Sequence, residues 1–146
     1  MRCISVISRC AALYRNERLA PLGLNGCQHT YILCLCRNPG ISQEELARRV
    51  YINKSNVARQ VAQLVQAGFV TRQASETDKR VMLVTPTQKA YDVCPIIREA
   101  LKEWNAYMAE GFCAEESARM DELLPEMMAR ATAYADGRTD VDGFFE

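Results

Sequence analysis

A mainly helical chain carrying one small β-hairpin is predicted by three features of residues 41–83: two short helical patterns, the tight turn that joins them, and a strand, charged loop and returning strand behind them. Ahead of this region, Ile4, Ile7, Ala11 or Ala12, Tyr14 and Leu19 recur among arginines over residues 4–20, a helical pattern that stops before Pro21. Residues 25–37 form a second helical pattern, broken at Asn38-Pro39-Gly40.

Ser42-Gln43-Glu44-Glu45 has the form of a capping box, in which the Ser42 hydroxyl accepts from the Glu45 N–H and Glu45 reaches back. A helix is therefore expected from Ser42, with Leu46 and Val50 on its apolar side and Arg48 and Arg49 off it. Asn53 is a second N-cap, ahead of Lys54-Ser55-Asn56. From there Val57, Val61, Leu64 and Val65 give one buried stripe and leave Lys54, Ser55, Asn56, Arg59, Gln60 and Gln63 to solvent. That exposed face is rich in hydrogen-bond donors and contains no acid. Gly68 stands where a C-cap glycine would, and Phe69-Val70-Thr71-Arg72 reads as a strand. The polar loop 73–79 leads to the returning strand 80–84. Thr85-Pro86-Thr87-Gln88 then reads as another helix start, with the proline at the first helical position. A basic, capped helix followed by a hairpin polar at its tip and basic at its base is what a winged helix-turn-helix DNA reader needs.

Beyond the hairpin, Ala90, Val93, Cys94, Ile97, Leu101, Trp104, Tyr107 and Met108 extend one apolar stripe that ends by Gly111. Pro95 predicts a kink near Cys94 or a helix start shifted toward it. A last helix is expected from about Glu115 to Ala135, with Met120, Leu123, Leu124, Met127, Met128 and Ala131 on one side and Pro125 inside it. Two long apolar helices exceed what a small reading unit requires for its own core. A second copy of the chain is the simplest partner for them, and dimerisation would place two reading helices one turn of DNA apart.

The sequence resembles the multiple antibiotic resistance regulator (MarR) family of bacterial transcription factors. The resemblance rests on Ile41-Ser42-Gln43-Glu44-Glu45-Leu46-Ala47, Asn53-Lys54-Ser55-Asn56-Val57, Leu64 with Gly68-Phe69-Val70, Asp78-Lys79-Arg80 and Leu83-Val84-Thr85, in that order. Upstream, Leu24-Asn25-Gly26-Cys27-Gln28 with Leu33 and Leu35 looks like the helix preceding the motif in that family. The resemblance implies one domain over residues 1–146. Residues 24–90 would be the winged helix-turn-helix, 1–23 and 91–136 the dimerisation helices, and 137–146 a flexible tail. It further implies a repressor that binds a palindromic operator in double-stranded DNA as a homodimer and is released by a small aromatic acid or phenolic effector. The residues expected at DNA are Ser42, Gln43, Lys54, Ser55, Asn56, Arg59, Gln60, Gln63, Arg72, Lys79 and Arg80, with Arg59 or Gln63 at base edges and Lys54 and Ser55 on phosphate. In the family, the acid at the position of Asp78 orients the basic residue of the wing. Asn56 and Ala58 stand where threonine is common, Lys79 where arginine is more frequent and Ala90 where glycine is usual.

Net charge is zero, but it is unevenly spread. Residues 1–41 carry five basic and one acidic side chain, 42–89 eight and four, and 90–146 five and thirteen, so the segments are +4, +4 and −8. A positive body beside an acidic C-terminal region can neutralise phosphates while the molecule stays near neutrality. No apolar run approaches about 20 residues, so no membrane span is expected. Met1-Arg2-Cys3 lacks a signal peptide's apolar stretch, and a cytoplasmic protein is expected. One histidine, no Gly-x-Ser-x-Gly and no phosphate-cradling glycine loop leave no catalytic centre, so neither an enzyme nor a cofactor is expected.

Seven cysteines include no Cys-x-x-Cys pair, so no metal site is expected. Cys27, Cys34, Cys36 and Cys94 read as small buried hydrophobes. Cys3, Cys10 and Cys113 lie near predicted helix ends, and some members of the family sense peroxides through an N-terminal thiol, which makes a thiol-based regulator one alternative. Tyr14, Arg15, His29 and Tyr31 are candidates for lining an effector cleft, since aromatic faces and a cation suit an aromatic carboxylate. The other alternative is a winged-helix protein-interaction module, which would carry apolar or acidic residues where Lys54, Asn56, Arg59 and Gln63 stand.

Overall fold

The computed structural model describes residues 2–136. The acidic end, 137–146, expected to be a tail, lies outside the described residues. In chain order the elements are α1 (Arg2–Leu19), a 3₁₀ turn (Ala20–Leu22), α2 (Gln28–Arg37), β1 (Ile41–Ser42), α3 (Gln43–Val50), α4 (Lys54–Gln66), β2 (Val70–Ala74), β3 (Met82–Pro86), α5 (Gln88–Met108) and α6 (Ala114–Asp136). The strands form one antiparallel sheet in the order β1-β3-β2, in which Ile41 faces Val84 and Val70 faces Pro86. Two residues are too few to show a period-2 pattern, so β1 left no signal in the sequence.

The helix starts follow the sequence closely where a side chain caps them. The Glu45 N–H donates to Ser42 Oγ at 3.0 Å and the Asn56 N–H to Asn53 Oδ1 at 2.8 Å. The return half of the capping box is absent, because the Glu45 carboxylate is held by Arg48 and Arg49. At the end of α4, Gly68 has φ +75°, and its N–H and that of Phe69 close on Val65 O and Leu64 O at 3.0 and 2.9 Å. Only glycine adopts this conformation without strain.

Two expectations are corrected. The stretch 85–88 is not a capped helix start at Thr85, because Pro86 ends β3. The Thr87 N–H donates to Phe69 O at 2.9 Å and its hydroxyl to Gly68 O at 2.7 Å, which keeps the chain extended until Gln88. Nor does Pro95 delay α5, which runs from Gln88 through it. Pro95 and Ile96 face outward while Val93, Cys94 and Ile97 are buried, so the hydrogen bond that proline removes lies on the exposed side of the helix.

The chain divides into two compact units, Met1–Trp104 and Asn105–Glu146. In the first, one core joins Tyr31, Ile32 and Leu35 of α2, Leu46 and Ala47 of α3, Val57, Val61 and Leu64 of α4, Phe69, Val70 and Val84 of the hairpin, and Val93, Cys94 and Ile97 of α5. In the second, α6 leaves Met120, Leu123, Leu124, Met127, Met128 and Tyr134 exposed.

Helix α1 meets the turn before α2 at Gly26. A Cβ there would lie 2.7 Å from Ala12 O, 2.8 Å from Asn16 Oδ1 and 2.9 Å from Asn16 N. Two of these obstacles are helix backbone and cannot swing aside. Gly26→Ala is expected to lower stability by about 1–3 kcal/mol, the usual range for overpacking, measured as a shift of the urea midpoint. A midpoint equal to the wild type would show that α1 is not seated there.

Candidate nucleic-acid interface

Helix α4 has one face in the core and one in solvent. Val57, Val61 and Leu64 are fully buried, while Lys54, Ser55, Arg59 and Gln63 are exposed and Asn56 is half-buried. The buried row is turned slightly from the expected one. Gln60, expected at the surface, is only 7% exposed, and Val65, expected in the stripe, is 38% exposed. The reason lies in α2, where Gln28 and Asn25 offer Gln60 Oε1 donors at 3.1 and 3.4 Å, so a polar side chain can occupy that inward position. Arg59 Nη2 donates to Asn56 Oδ1 at 3.1 Å, and Lys54 Nζ lies 2.8 Å from Glu44 Oε1 at the start of α3.

At that start Ser42 is occupied as the cap, and Gln43 keeps its Nε2 buried with no hydrogen-bond partner. On the hairpin, Arg72 is exposed on β2 opposite Val84, and Lys79 and Arg80 are exposed beyond it. Asp78 Oδ1 accepts from the Arg80 backbone N–H at 3.0 Å, and its two oxygens accept from Arg80 Nε and Nη2 at 3.2 Å. The Arg80 guanidinium, with that backbone hydrogen bond, holds the Asp78 carboxyl below its ordinary pKa. The acid thus pairs with the arginine two positions on.

Lys89 at the start of α5 had no signal in the sequence. Its ammonium donates to Ala67 O at 2.8 Å and lies 4.3 Å from the Phe69 ring centroid, closing the carbonyl end of α4 with a cation. The Gln28 link to α4 was also missed, although Asn25 with Gln28 and Gln60 with Gln63 form two amide pairs at the i, i+3 spacing that shares a helix face.

The four candidate cleft residues do not converge on one cavity. Arg15 Nε and His29 Nδ1 both reach Gly26 O, at 3.2 and 2.7 Å. Tyr14 instead donates to Glu103 Oε2 at 2.8 Å, with its ring 5.2 Å from that of Trp104. Tyr31 is 1% exposed in the core, where burial pushes its phenol up to about 12. Among the thiols, Cys3, Cys10, Cys27 and Cys113 are exposed. Cys27, expected to be buried, stands instead exposed at the N-cap of α2 and donates to Asn25 Oδ1 at 2.8 Å. Burial raises the Cys34 thiol and, with Cys94 beside it, pushes the Cys36 thiol up to about 12. Among the described residues no side-chain cluster could hold a metal ion, and no helix is long and apolar enough to cross a membrane.

His29 supplies a pH dependence. A carbonyl can only accept, so Nδ1 carries the proton and Nε2 is left to accept from Thr30 Oγ1 at 3.2 Å. Burial holds the imidazole below its ordinary pKa of 6.5; the Gly26 carbonyl opposes that shift and the Arg15 charge adds to it. The unfolded chain therefore takes up this proton first, so stability is complete above about pH 6.5 and falls as pH drops through that value. The urea midpoint is expected to decrease between about pH 8 and pH 5.5, and to decrease less in His29→Gln. Equal decreases in the two proteins would contradict a half-buried neutral histidine.

The MarR family model matches residues 24–82, which span α2 to the start of β3. An uncharacterized HTH-type transcriptional regulator of Bacillus subtilis, YybA, is 29% identical over 124 residues, covering 85% of this chain and 83% of its own. The HTH-type transcriptional regulator BilQ of Clostridium symbiosum is 30% identical over 97 residues, covering 66% of this chain and 67% of its own. Among solved structures, a MarR-family regulator from Listeria monocytogenes complexed with 26mer DNA is 26% identical, with a TM-score of 0.80, covering 90% of this chain and 88% of that one. The match of sequence from α2 to the start of β3, carried on the same fold, places this chain in the MarR family of transcriptional regulators.

Proposed function

We propose that this chain is a cytoplasmic repressor that binds a roughly palindromic site in duplex DNA as a homodimer, with residues 24–90 as the reading unit and 1–23 and 91–136 as dimerisation helices. The observation that carries this reading is the division of α4, which has its apolar face locked in the core and an acid-free, donor-rich face in solvent. The Listeria relative bound to 26mer DNA supports it. In this reading Arg59 and Gln63 reach base edges, and Lys54, Ser55, Asn56 and the wing residues Arg72, Lys79 and Arg80 meet backbone or bases. The Lys54–Glu44 pair is solvent-exposed, so exchanging the carboxylate for phosphate costs little.

The homodimer accounts for the apolar row on α6, which the second unit leaves uncovered. Effector release follows by linkage: a small aromatic acid or phenol lowers DNA affinity by favouring a spacing of the two reading units that misses successive major grooves. About 1–3 kcal/mol of coupling is enough. Arg15 and His29 are the cation and ring that would meet such a carboxylate.

A gel-shift titration with DNA from upstream of the chain's own gene tests this reading. A complex of two chains per duplex is expected, weakened by salicylate-like acids, with Arg59→Ala costing about 1–3 kcal/mol and relaxing site preference. Unchanged affinity and preference in Arg59→Ala would overturn the assignment of α4. Release by peroxide alone, abolished by Cys3→Ser or Cys10→Ser, would favour thiol sensing instead.

A further inference from the structure

The amides between α2 and α4 are oriented by backbone groups that can only donate. Asn25 Oδ1 accepts from the N–H groups of Cys27 and Gln28 at 3.2 and 3.1 Å, which leaves Asn25 Nδ2 to face Gln60 Oε1. Gln28 Oε1 accepts from the Asn25 N–H at 3.0 Å, so Gln28 Nε2 points at α4. Its two hydrogens go to Gln60 Oε1 at 3.1 Å and Gln63 Oε1 at 3.2 Å. Turning the Gln28 or Gln60 amide round would set donor against donor inside the protein, because both side chains are buried.

Gln63 is exposed, and with its oxygen engaged it offers its NH₂ outward. One turn earlier Arg59 engages Asn56 Oδ1, which turns the Asn56 NH₂ outward too. Residues 56, 59 and 63 share one side of α4, and Lys54 and Arg59 can only donate.

We infer that Gln28 is a positioning residue that locks the Gln63 amide in one of its two orientations, so that the side of α4 formed by residues 56, 59 and 63 presents donors and is directed to base edges rich in acceptors, guanine O6 and N7 or thymine O4. A free glutamine would also pair with adenine through N6 and N7. A locked one turns its acceptor oxygen toward Gln28, away from the amino groups of adenine or cytosine. This inference rests on the DNA-binding reading above.

The test is selection of binding sites from a pool of randomised duplexes by the full chain, followed by affinities for the four base pairs at each selected position. The position read by Gln63 is the one whose preference disappears in Gln63→Ala. The wild type is expected to favour guanine or thymine there by about tenfold, within the range of a specific contact. Gln28→Leu should flatten that position to below about threefold by freeing the amide, and should change it more than any other position. Gln63→Lys, a change confined to the surface, should retain the acceptor preference, and Gln63→Glu should transfer it to cytosine. These two variants keep the inference testable if Gln28→Leu does not fold. Intact discrimination in a folded Gln28→Leu protein, a wild-type preference for adenine or cytosine at that position, or a Gln63→Ala protein with every preference unchanged would overturn this inference alone. Failure of the wild type to bind any duplex would remove the DNA-binding reading and this inference with it.

Discussion

The turn before α2 together with its first residue, 24–28, is the constraint on which the first unit depends. Gly26 has no side chain, which lets α1 approach at Ala12 and Asn16, and its carbonyl collects Arg15 and His29. From the same turn Asn25 and Gln28 reach α4. Apolar burial supplies most of the energy that holds α4 in place, but it is non-directional, and three smooth aliphatic side chains would tolerate a small rotation of the helix. The amides do not tolerate it, because a buried donor or acceptor that loses its partner costs about 1–3 kcal/mol. Register and presentation of the exposed face are therefore set by polar contacts laid over apolar ones.

Charges around α3, α4 and the wing are arranged in local pairs rather than as a bare positive field. Glu45 holds Arg48 and Arg49, Glu44 faces Lys54, and Asp78 holds Arg80. Glu44 and Glu45 are held below their ordinary pKa by hydrogen bonds to these cations, so the pairs persist into mildly acidic solution and loosen only as pH falls through the carboxylate range. Exposed pairs of this kind contribute little to stability. Their consequence is positional, because each cation is kept near the surface that a polyanion would approach and can exchange its carboxylate for phosphate. The near-zero net charge of the whole chain and a local affinity for DNA are compatible for this reason.

The sequence reveals most where a single residue type has a single local use. Ser42 and Asn53 cap α3 and α4 as their types require, and Gly68 takes the left-handed conformation that ends α4. Val57, Val61 and Leu64 of the α4 stripe follow from periodicity, and the hairpin from strand-forming residues on either side of a polar loop. What periodicity cannot show is a long-range partner. Gln60 looks like a surface residue until Gln28, 32 positions away, is placed beside it. Tyr31 looks like a cleft aromatic until the core closes over it, and Thr85 looks like a cap until β3 pairs it with Thr71. Residues 85–88 carry cap chemistry, yet the strand pairing of β2 with β3 competes for the same backbone and wins. Of the candidate site, the row Lys54, Ser55, Asn56, Arg59 and Gln63 was legible as an exposed, acid-free face. The orientation of its amides was not, since that depends on atoms of α2.

Amide hydrogen exchange of the chain with and without a duplex it selects tests most directly whether the exposed face of α4, aimed by α2, is the reading surface. Slowed exchange is expected in residues 53–66 and in the wing, residues 75–81, with the protection at α4 strongest in its first two turns. Protection confined to α1 or α6, with α4 exchanging at its free rate, would contradict that assignment.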